Sequence, residues 1–170
     1  MLSQAMMAPK LRDAFVRALE LDPNLHDARS SLVEYYLQAP SVAGGSVEKA
    51  REQTQELLKR DPPRGYYAQG RLATHDKKPA EVDDVVTTGS TTAEAAKAFA
   101  AASAARPDNA NYRMAAGVAL QETKQWDAAF DLFEAWTRND PKAAMAWYQV
   151  GRTSALSGQR LDVGAAALKT

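Results

Sequence analysis

Residues 107–141 show a regular, helix-like spacing of apolar positions among polar ones. Apolar side chains recur there at the i, i+3, i+4, i+7 spacing that places them on one face of an amphipathic helix. Polar residues 122–125 separate two such stripes and are too few for anything but a tight antiparallel turn. Asp140 precedes Pro141, a position that disfavours helix, so the second stripe ends there. The pattern predicts a helical hairpin with Tyr112, Ala115, Ala116, Ala119 and Leu120 on the inner face of its first helix, and Trp126, Ala129, Phe130, Phe133 and Trp136 on that of its second.

The prolines that bound this hairpin lie 34 residues apart (141 − 107), and such a period is typical of helical solenoids. The stretch resembles a tetratricopeptide repeat (TPR). Gly117 and Ala129 are small where the two helices of a hairpin approach closely, while the usual aromatic of the first helix is displaced by one position to Tyr112. The resemblance implies an all-α, TPR-like solenoid of helical hairpins in a right-handed superhelix, with about nine helices. It is carried by Gly117, Leu120, Ala129, Phe133 and Pro141.

The same pattern divides residues 1–170 into a single array. The predicted units are 8–21 (second helix of a partial repeat), 25–61 (a repeat with a five-residue insertion), 64–106 (a repeat with an eleven-residue insertion at 76–90), 108–140 (a regular repeat) and 142–170 (a truncated repeat). The connector 39–46, APSVAGGS, resembles the AP-x-x-GGS insertion of several bacterial TPR proteins. Within the second insertion, residues 80–87 form either a short helix or an irregular segment, and the following helix is predicted at 91–105.

Composition narrows the function classes. The 21 basic and 21 acidic residues give no net charge, whereas nucleic-acid-binding proteins usually carry a basic excess, so no nucleic-acid partner is expected. There is no cysteine, which excludes disulfides and thiolate chemistry, and no apolar run long enough for membrane insertion. The N-terminus does not have the pattern of a signal peptide. The expected location is cytoplasmic as the chain stands, or periplasmic if an N-terminal signal has been trimmed.

The residues that could carry chemistry do not assemble a reactive centre in the sequence. Gly44-Gly45-Ser46 precedes a helix and could hold an anion, but it lacks the Lys-Ser/Thr pair of a P-loop and is better interpreted as a flexible connector with an N-cap. His26 and His75 are the only histidines and have no ligand-like spacing. Asp83 and Asp84 are adjacent, so they would point apart on a helix. No metal, cofactor or enzymatic activity is predicted.

In TPR arrays the first helix of each hairpin lines a concave groove that usually binds peptide. The resemblance therefore implies a protein or peptide partner, held in that groove by aromatic, methionine and charged side chains. A carboxylate clamp is not expected, because Ser30 and Glu34 stand where it would require Lys and Asn. Register also places Asp27, Thr74, Asn111 and Met145 on this side. The candidate groove residues are Glu34, Tyr67, Arg71, Met114, Val118, Gln121, Tyr148 and Arg152.

Two alternatives to a groove-binding module remain at this stage. The array opens and closes in mid-repeat, which would leave apolar edges uncovered, and solenoids normally cap theirs. The chain could therefore be a structural or self-assembling scaffold, a homo-oligomer joined through its open array ends. It could instead be the TPR segment of a larger protein whose activity lies elsewhere.

Overall fold

The computed structural model describes the backbone of residues 2–75 and 85–169, and the side chains of residues 9–75 and 92–169. Over these ranges the chain is helical and contains no strand, as the sequence predicts. A single turn of 3-10 helix, Ser41–Ala43, lies in the connector after the second helix. The α-helices are α1 (Leu2–Leu21), α2 (His26–Gln38), α3 (Val47–Arg60), α4 (Pro62–His75), α5 (Val85–Ala105), α6 (Ala110–Glu122), α7 (Trp126–Asn139), α8 (Ala144–Ser157) and α9 (Leu161–Ala167).

The helices pack in the order in which they occur along the chain. Each helix contacts the next one, from α1 against α2 to α8 against α9. Contact between the first helices α2 and α4 of adjacent hairpins adds the sideways step of a solenoid. Buried side chains form separate clusters around Leu32, Phe99 and Phe133 along this progression, because each hairpin covers its neighbour's apolar face. The predicted solenoid of helical hairpins is confirmed.

Close packing within two of the hairpins depends on a glycine in the first helix and a phenylalanine in the second. A Cβ atom added to Gly117 on α6 would overlap the ring of Phe133 on α7, and one added to Gly70 on α4 would overlap Phe99 on α5. Phe133 is fully buried, and Phe99 is nearly so. The missing side chain of glycine therefore lets an aromatic ring lie directly on the backbone of the partner helix.

In the hairpin of α2 and α3 the larger side chain of the equivalent pair is on the first helix and the smaller one is on the second. Val33 lies ten residues after Pro23, as Gly117 lies ten after Pro107. Thr54 lies eight residues before Pro62, as Phe133 lies eight before Pro141. Val33 and Thr54 are both buried. By this register the first helix carries the larger side chain and the second helix the smaller one, the reverse of Gly117 and Phe133.

Two helices begin earlier than the sequence predicts. Helix α1 begins at Leu2 instead of residue 8, and Pro9 lies inside it. The sequence predicts Pro9 as a helix start, because proline removes one intrahelical donor and crowds the preceding turn, but the helix continues on its N-terminal side. Helix α5 begins at Val85 instead of residue 91, so residues 85–90 of the predicted insertion are helical. Residues 76–84, the rest of that insertion, lie outside the described residues.

The connector between α2 and α3 folds as a compact hydrogen-bonded loop. Gly44 has a left-handed backbone (φ 91°), which glycine adopts without strain. Ser46 caps α3 by accepting a hydrogen bond from the Lys49 N–H at 3.3 Å, as predicted. The N–H groups of Gly44, Gly45 and Ser46 donate to the carbonyls of Ser41, Pro40 and Tyr36, respectively. These donors are therefore already used, which favours the connector interpretation over an anion site.

Candidate functional site

The first-helix face is the side of α2, α4, α6 and α8 that carries the candidate groove residues, and its α2–α4 part holds a paired charge. Arg71 on α4 donates from Nε to Oε1 of Glu34 and from Nη2 to Oε2, both at 2.8 Å. Gln38 donates to the same carboxylate at 3.0 Å. Two parallel N–H···O bonds match the geometry of guanidinium and carboxylate. The charges of Arg71 and Glu34 therefore neutralise each other across two hairpins.

This pairing changes the acidity of Glu34. Partial burial by itself would raise the pKa of the Glu34 carboxyl, but the hydrogen bonds and charge of Arg71, together with the Gln38 hydrogen bond, lower that pKa below its ordinary value. The folded chain therefore favours the ionised carboxylate.

We expect Glu34→Gln to destabilise the chain more near neutral pH than in acid. Because the folded-state pKa is lowered, the contribution of Glu34 is present above its unfolded-state pKa and is lost as the pH falls through the folded-state value. Urea unfolding at about pH 6 and about pH 3 measures the effect, and the difference in unfolding free energy between wild type and variant should shrink in acid. A difference that stayed constant with pH would contradict this account.

The aromatic candidate Tyr67 is half-buried in a cluster of rings. It stacks on Tyr112 of α6 with ring centroids 5.0 Å apart and an interplanar angle of 24°, and its ring lies 5.5 Å from that of Phe99. Burial raises the pKa of both tyrosine hydroxyls. A cavity of about 210 Å³ lies beside this stack, and Glu34 and Tyr67 are among its lining residues. The structure therefore brings three candidates, Glu34, Tyr67 and Arg71, into one region.

A second ion cluster joins successive hairpins next to this region. Asp61 is 8% exposed and accepts from Nη2 of Arg106 at 3.1 Å through both carboxylate oxygens. Nε of Arg64 lies 3.4 Å from Asp61, while Nη1 of Arg64 lies 2.8 Å from Asp27. Sequence reasoning missed this cluster. The sequence did contain a signal for it. The residue before the proline that ends a repeat is an aspartate at positions 22, 61 and 140, but it is an arginine at position 106.

The candidate Gln121 is placed differently from the expectation. Its side chain is 3% exposed, and its amide donates to Thr153 Oγ1 at 2.8 Å and to Gln149 Oε1 at 3.2 Å. Its carbonyl oxygen accepts from Arg152. α8 supplies partners for every part of the amide, so Gln121 can be buried without cost to its hydrogen bonds. Gln121 therefore bridges α6 and α8 and does not offer a free side chain to a ligand.

The remaining candidates lie on α6 and α8. Tyr148 is 52% exposed, and Met145, three residues earlier on the same helix, is 51% exposed. Arg152, Met114 and Val118 are half-buried, and the sulfur of Met114 accepts a hydrogen bond from Gln149. Among the described residues no carboxylate pairs with Arg152. This part of the face thus presents exposed aromatic and thioether groups beside Arg152, whose side chain bonds the neutral amide of Gln121.

The other candidate chemistry of the sequence gains no support from the described residues. His, Asp and Glu side chains of residues 9–75 and 92–169 form no group of three that could hold a metal ion. Asp83 and Asp84 lie outside the described residues. None of the helices in the described part of the chain combines the length and apolarity of a membrane span.

No protein-family model matches this chain, and no curated protein matches it in sequence. Solved structures do match it. MamA superposes with a TM-score of 0.63 at 18% identity, over 93% of this chain and 82% of MamA. YrrB, described as a TPR protein with an unusual peptide-binding site, gives 0.61 at 20% identity over 99% and 78%. TTC0263, a thermophilic TPR protein of Thermus thermophilus, gives 0.64 at 19% identity over 92% and 77%.

The chain has the TPR fold. At identities of 20% or less the likeness concerns the fold alone. In the TPR fold each repeat has a first and a second helix. Here the first helices are α2, α4, α6 and α8, and the second helices are α1, α3, α5, α7 and α9. Seven of the eight candidate groove residues keep at least part of their side chain accessible on the first helices, and Gln121 is the exception.

Proposed function

We propose that this chain is a non-catalytic protein-interaction module that binds a peptide or protein segment in the concave groove lined by its first helices. The observation that carries the proposal is the exposed pair Tyr148 and Met145 beside Arg152 on α8. Exposed aromatic, methionine and arginine side chains are enriched where proteins bind each other. The peptide-binding site named for the structurally similar YrrB supports the same class of function.

The distribution of charge favours the α6–α8 half of the groove as the principal contact surface. In the α2–α4 half, Arg71 already pairs with Glu34, so a ligand carboxylate would have to displace an existing bidentate bond. Arg152 donates to the neutral amide of Gln121 and has no acidic partner among the described residues. The expected ligand therefore carries an apolar or aromatic side chain for Tyr148 and Met145 and an acidic group for Arg152.

Replacing Tyr148 and Arg152 together by alanine should abolish selection of such ligands. A library of displayed peptides selected on the wild-type chain supplies the ligand, and its affinity for wild type and variant is then measured by fluorescence anisotropy. We expect the double variant to bind roughly 30- to 1,000-fold more weakly, since loss of an aromatic anchor and a charged contact each removes roughly 1–2 kcal/mol.

The matched control changes an apolar and an arginine side chain on second helices. Val163→Ala with Arg138→Ala alters exposed residues of α9 and α7 and should leave the affinity unchanged. Equal affinity of the wild type and of the Tyr148 and Arg152 variant would contradict the groove assignment. If no peptide is selected and the chain self-associates with rising concentration, the scaffold alternative takes its place; it is favoured by the exposed Leu161 of α9 and the exposed Leu168 directly after that helix.

A further inference from the structure

A second surface lies at the α1 edge of the array, away from α6 and α8. The edge trough is a groove of about 550 Å³ between α1 and α2. Its α1 wall is formed by Leu11 and Phe15, and Leu11 is 52% exposed. Its α2 wall is formed by Ser31, Tyr35 and other residues of that helix. Two adjacent helices with an open channel between them form the groove into which a third helix can pack.

The α1 wall repeats a position that is buried elsewhere in the chain. Phe15 lies eight residues before Pro23, as Phe99 and Phe133 lie eight before Pro107 and Pro141. Those two rings are 5% and 0% exposed because a first helix with a glycine covers each of them. Phe15 is only half-buried and lines the edge trough. Within the described residues no helix covers it in the same way.

The α2 wall also repeats a position that meets a first helix elsewhere. Ser31 and Tyr35 lie eight and twelve residues after Pro23, as Gln149 and Thr153 lie eight and twelve after Pro141. Gln149 and Thr153 both hydrogen-bond to Gln121 on α6. Helix α6 packs against α7 and α8. The edge trough is the equivalent space beside α1 and α2, where no helix of the described residues lies. It continues the interface by which this array joins one hairpin to the next.

We propose that the edge trough docks an amphipathic α-helix of another polypeptide, with a glycine or alanine facing Phe15. An aliphatic residue one turn away on the docked helix would cover Leu11, which lies one turn from Phe15 on α1 and also lines the trough. A second copy of this chain is a poor occupant, because Gly70, Gly117 and Gly151 of its first helices are all buried within their own hairpins. This site is separate from the α6–α8 groove and can succeed or fail without it.

The chain supplies its own probe for this site. A peptide of residues 107–123, acetylated and amidated at its ends, contains the α6 sequence with Gly117 at the position that should face Phe15. Titrated into the full chain and followed by calorimetry, it should bind in a 1:1 complex. Its Gly117→Leu version should bind at least about tenfold more weakly, because the added side chain meets the Phe15 ring.

Variants of the full chain locate the binding. Leu11→Glu should weaken binding of the peptide at least about tenfold, since it places a charge against the apolar stripe of the probe. Leu156→Glu is the matched control, because Leu156 on α8 has the same 52% exposure and lies outside the trough. The Tyr148 and Arg152 double alanine variant should also retain full affinity, which separates this site from the groove.

Several results would overturn the proposal. One is an absence of binding at peptide concentrations up to about 1 mM. Another is equal affinity for the unchanged probe and its Gly117→Leu version, or equal affinity of the probe for wild type and Leu11→Glu. A third is concentration-dependent dimerisation of the chain that Leu11→Glu abolishes, since that result would assign the trough to a second copy.

Discussion

Gly117→Val is expected to lower the free energy of unfolding by about 3 kcal/mol, because the new side chain must occupy space that the ring of Phe133 already fills. Both positions are buried, so neither helix can relieve the overlap by turning the side chain to solvent. Urea unfolding followed by circular dichroism measures the change. Gly158→Asn is the control: that glycine is exposed, nothing lies within 4 Å of an added Cβ, and asparagine tolerates its φ of 70°, so a loss below about 1 kcal/mol is expected.

The cause of that loss can be tested by restoring volume. Phe133→Thr alone should cost about 4 kcal/mol through the cavity it leaves. The double variant, Gly117→Val with Phe133→Thr, reproduces the Val33 and Thr54 pair of the α2–α3 hairpin. It should be more stable than the sum of the two single losses predicts, by about 2 kcal/mol. Strict additivity would contradict a steric origin and the equivalence of the two layers.

Asp61→Ala is expected to lower the free energy of unfolding by about 2 kcal/mol. The substitution leaves Arg106 and Arg64 without the carboxylate that joins the ends of α3 and α5. The loss stays below that of a fully buried pair because the Arg106 side chain is 40% exposed and can regain water.

The control for this substitution removes an exposed carboxylate with a single partner. The Asp13 side chain is 64% exposed and pairs with Arg12 at 2.6 Å, so Asp13→Ala should cost less than about 0.5 kcal/mol. Thermal unfolding of both variants at low and at high salt gives the comparison. A loss from Asp61→Ala no larger than that from Asp13→Ala would show that the cluster does not hold the hairpins together.

The hairpin architecture could be predicted because it depends on residues close in the chain. Gly117 and Phe133 are separated by one short turn, and the i, i+3, i+4, i+7 pattern fixes which faces of the two helices meet. The residues at which helices begin are harder to predict from the sequence. Pro9 gave a plausible helix start, yet helix α1 runs through it, and the start of α5 lies in a polar stretch with no clear apolar stripe.

The groove was predicted in outline but not in its contacts. The register of each first helix places Arg71 and Glu34 on the same side, but only the packing of α2 against α4 brings these residues, 37 positions apart, into hydrogen-bond distance. Gln121 shows the same limit. A polar residue near the end of a first helix looks exposed until α8 supplies Gln149 and Thr153 as partners that permit its burial.

We propose that this chain meets its partner on the α6–α8 part of the first-helix face. The most direct test is a two-dimensional ¹H–¹⁵N NMR titration of the labelled chain with a peptide selected on it. The largest amide shifts are expected on α6 and α8, around Met114, Met145, Tyr148 and Arg152. Shifts confined to the second helices α3, α5 and α7, with those four residues unchanged at saturation, would contradict it.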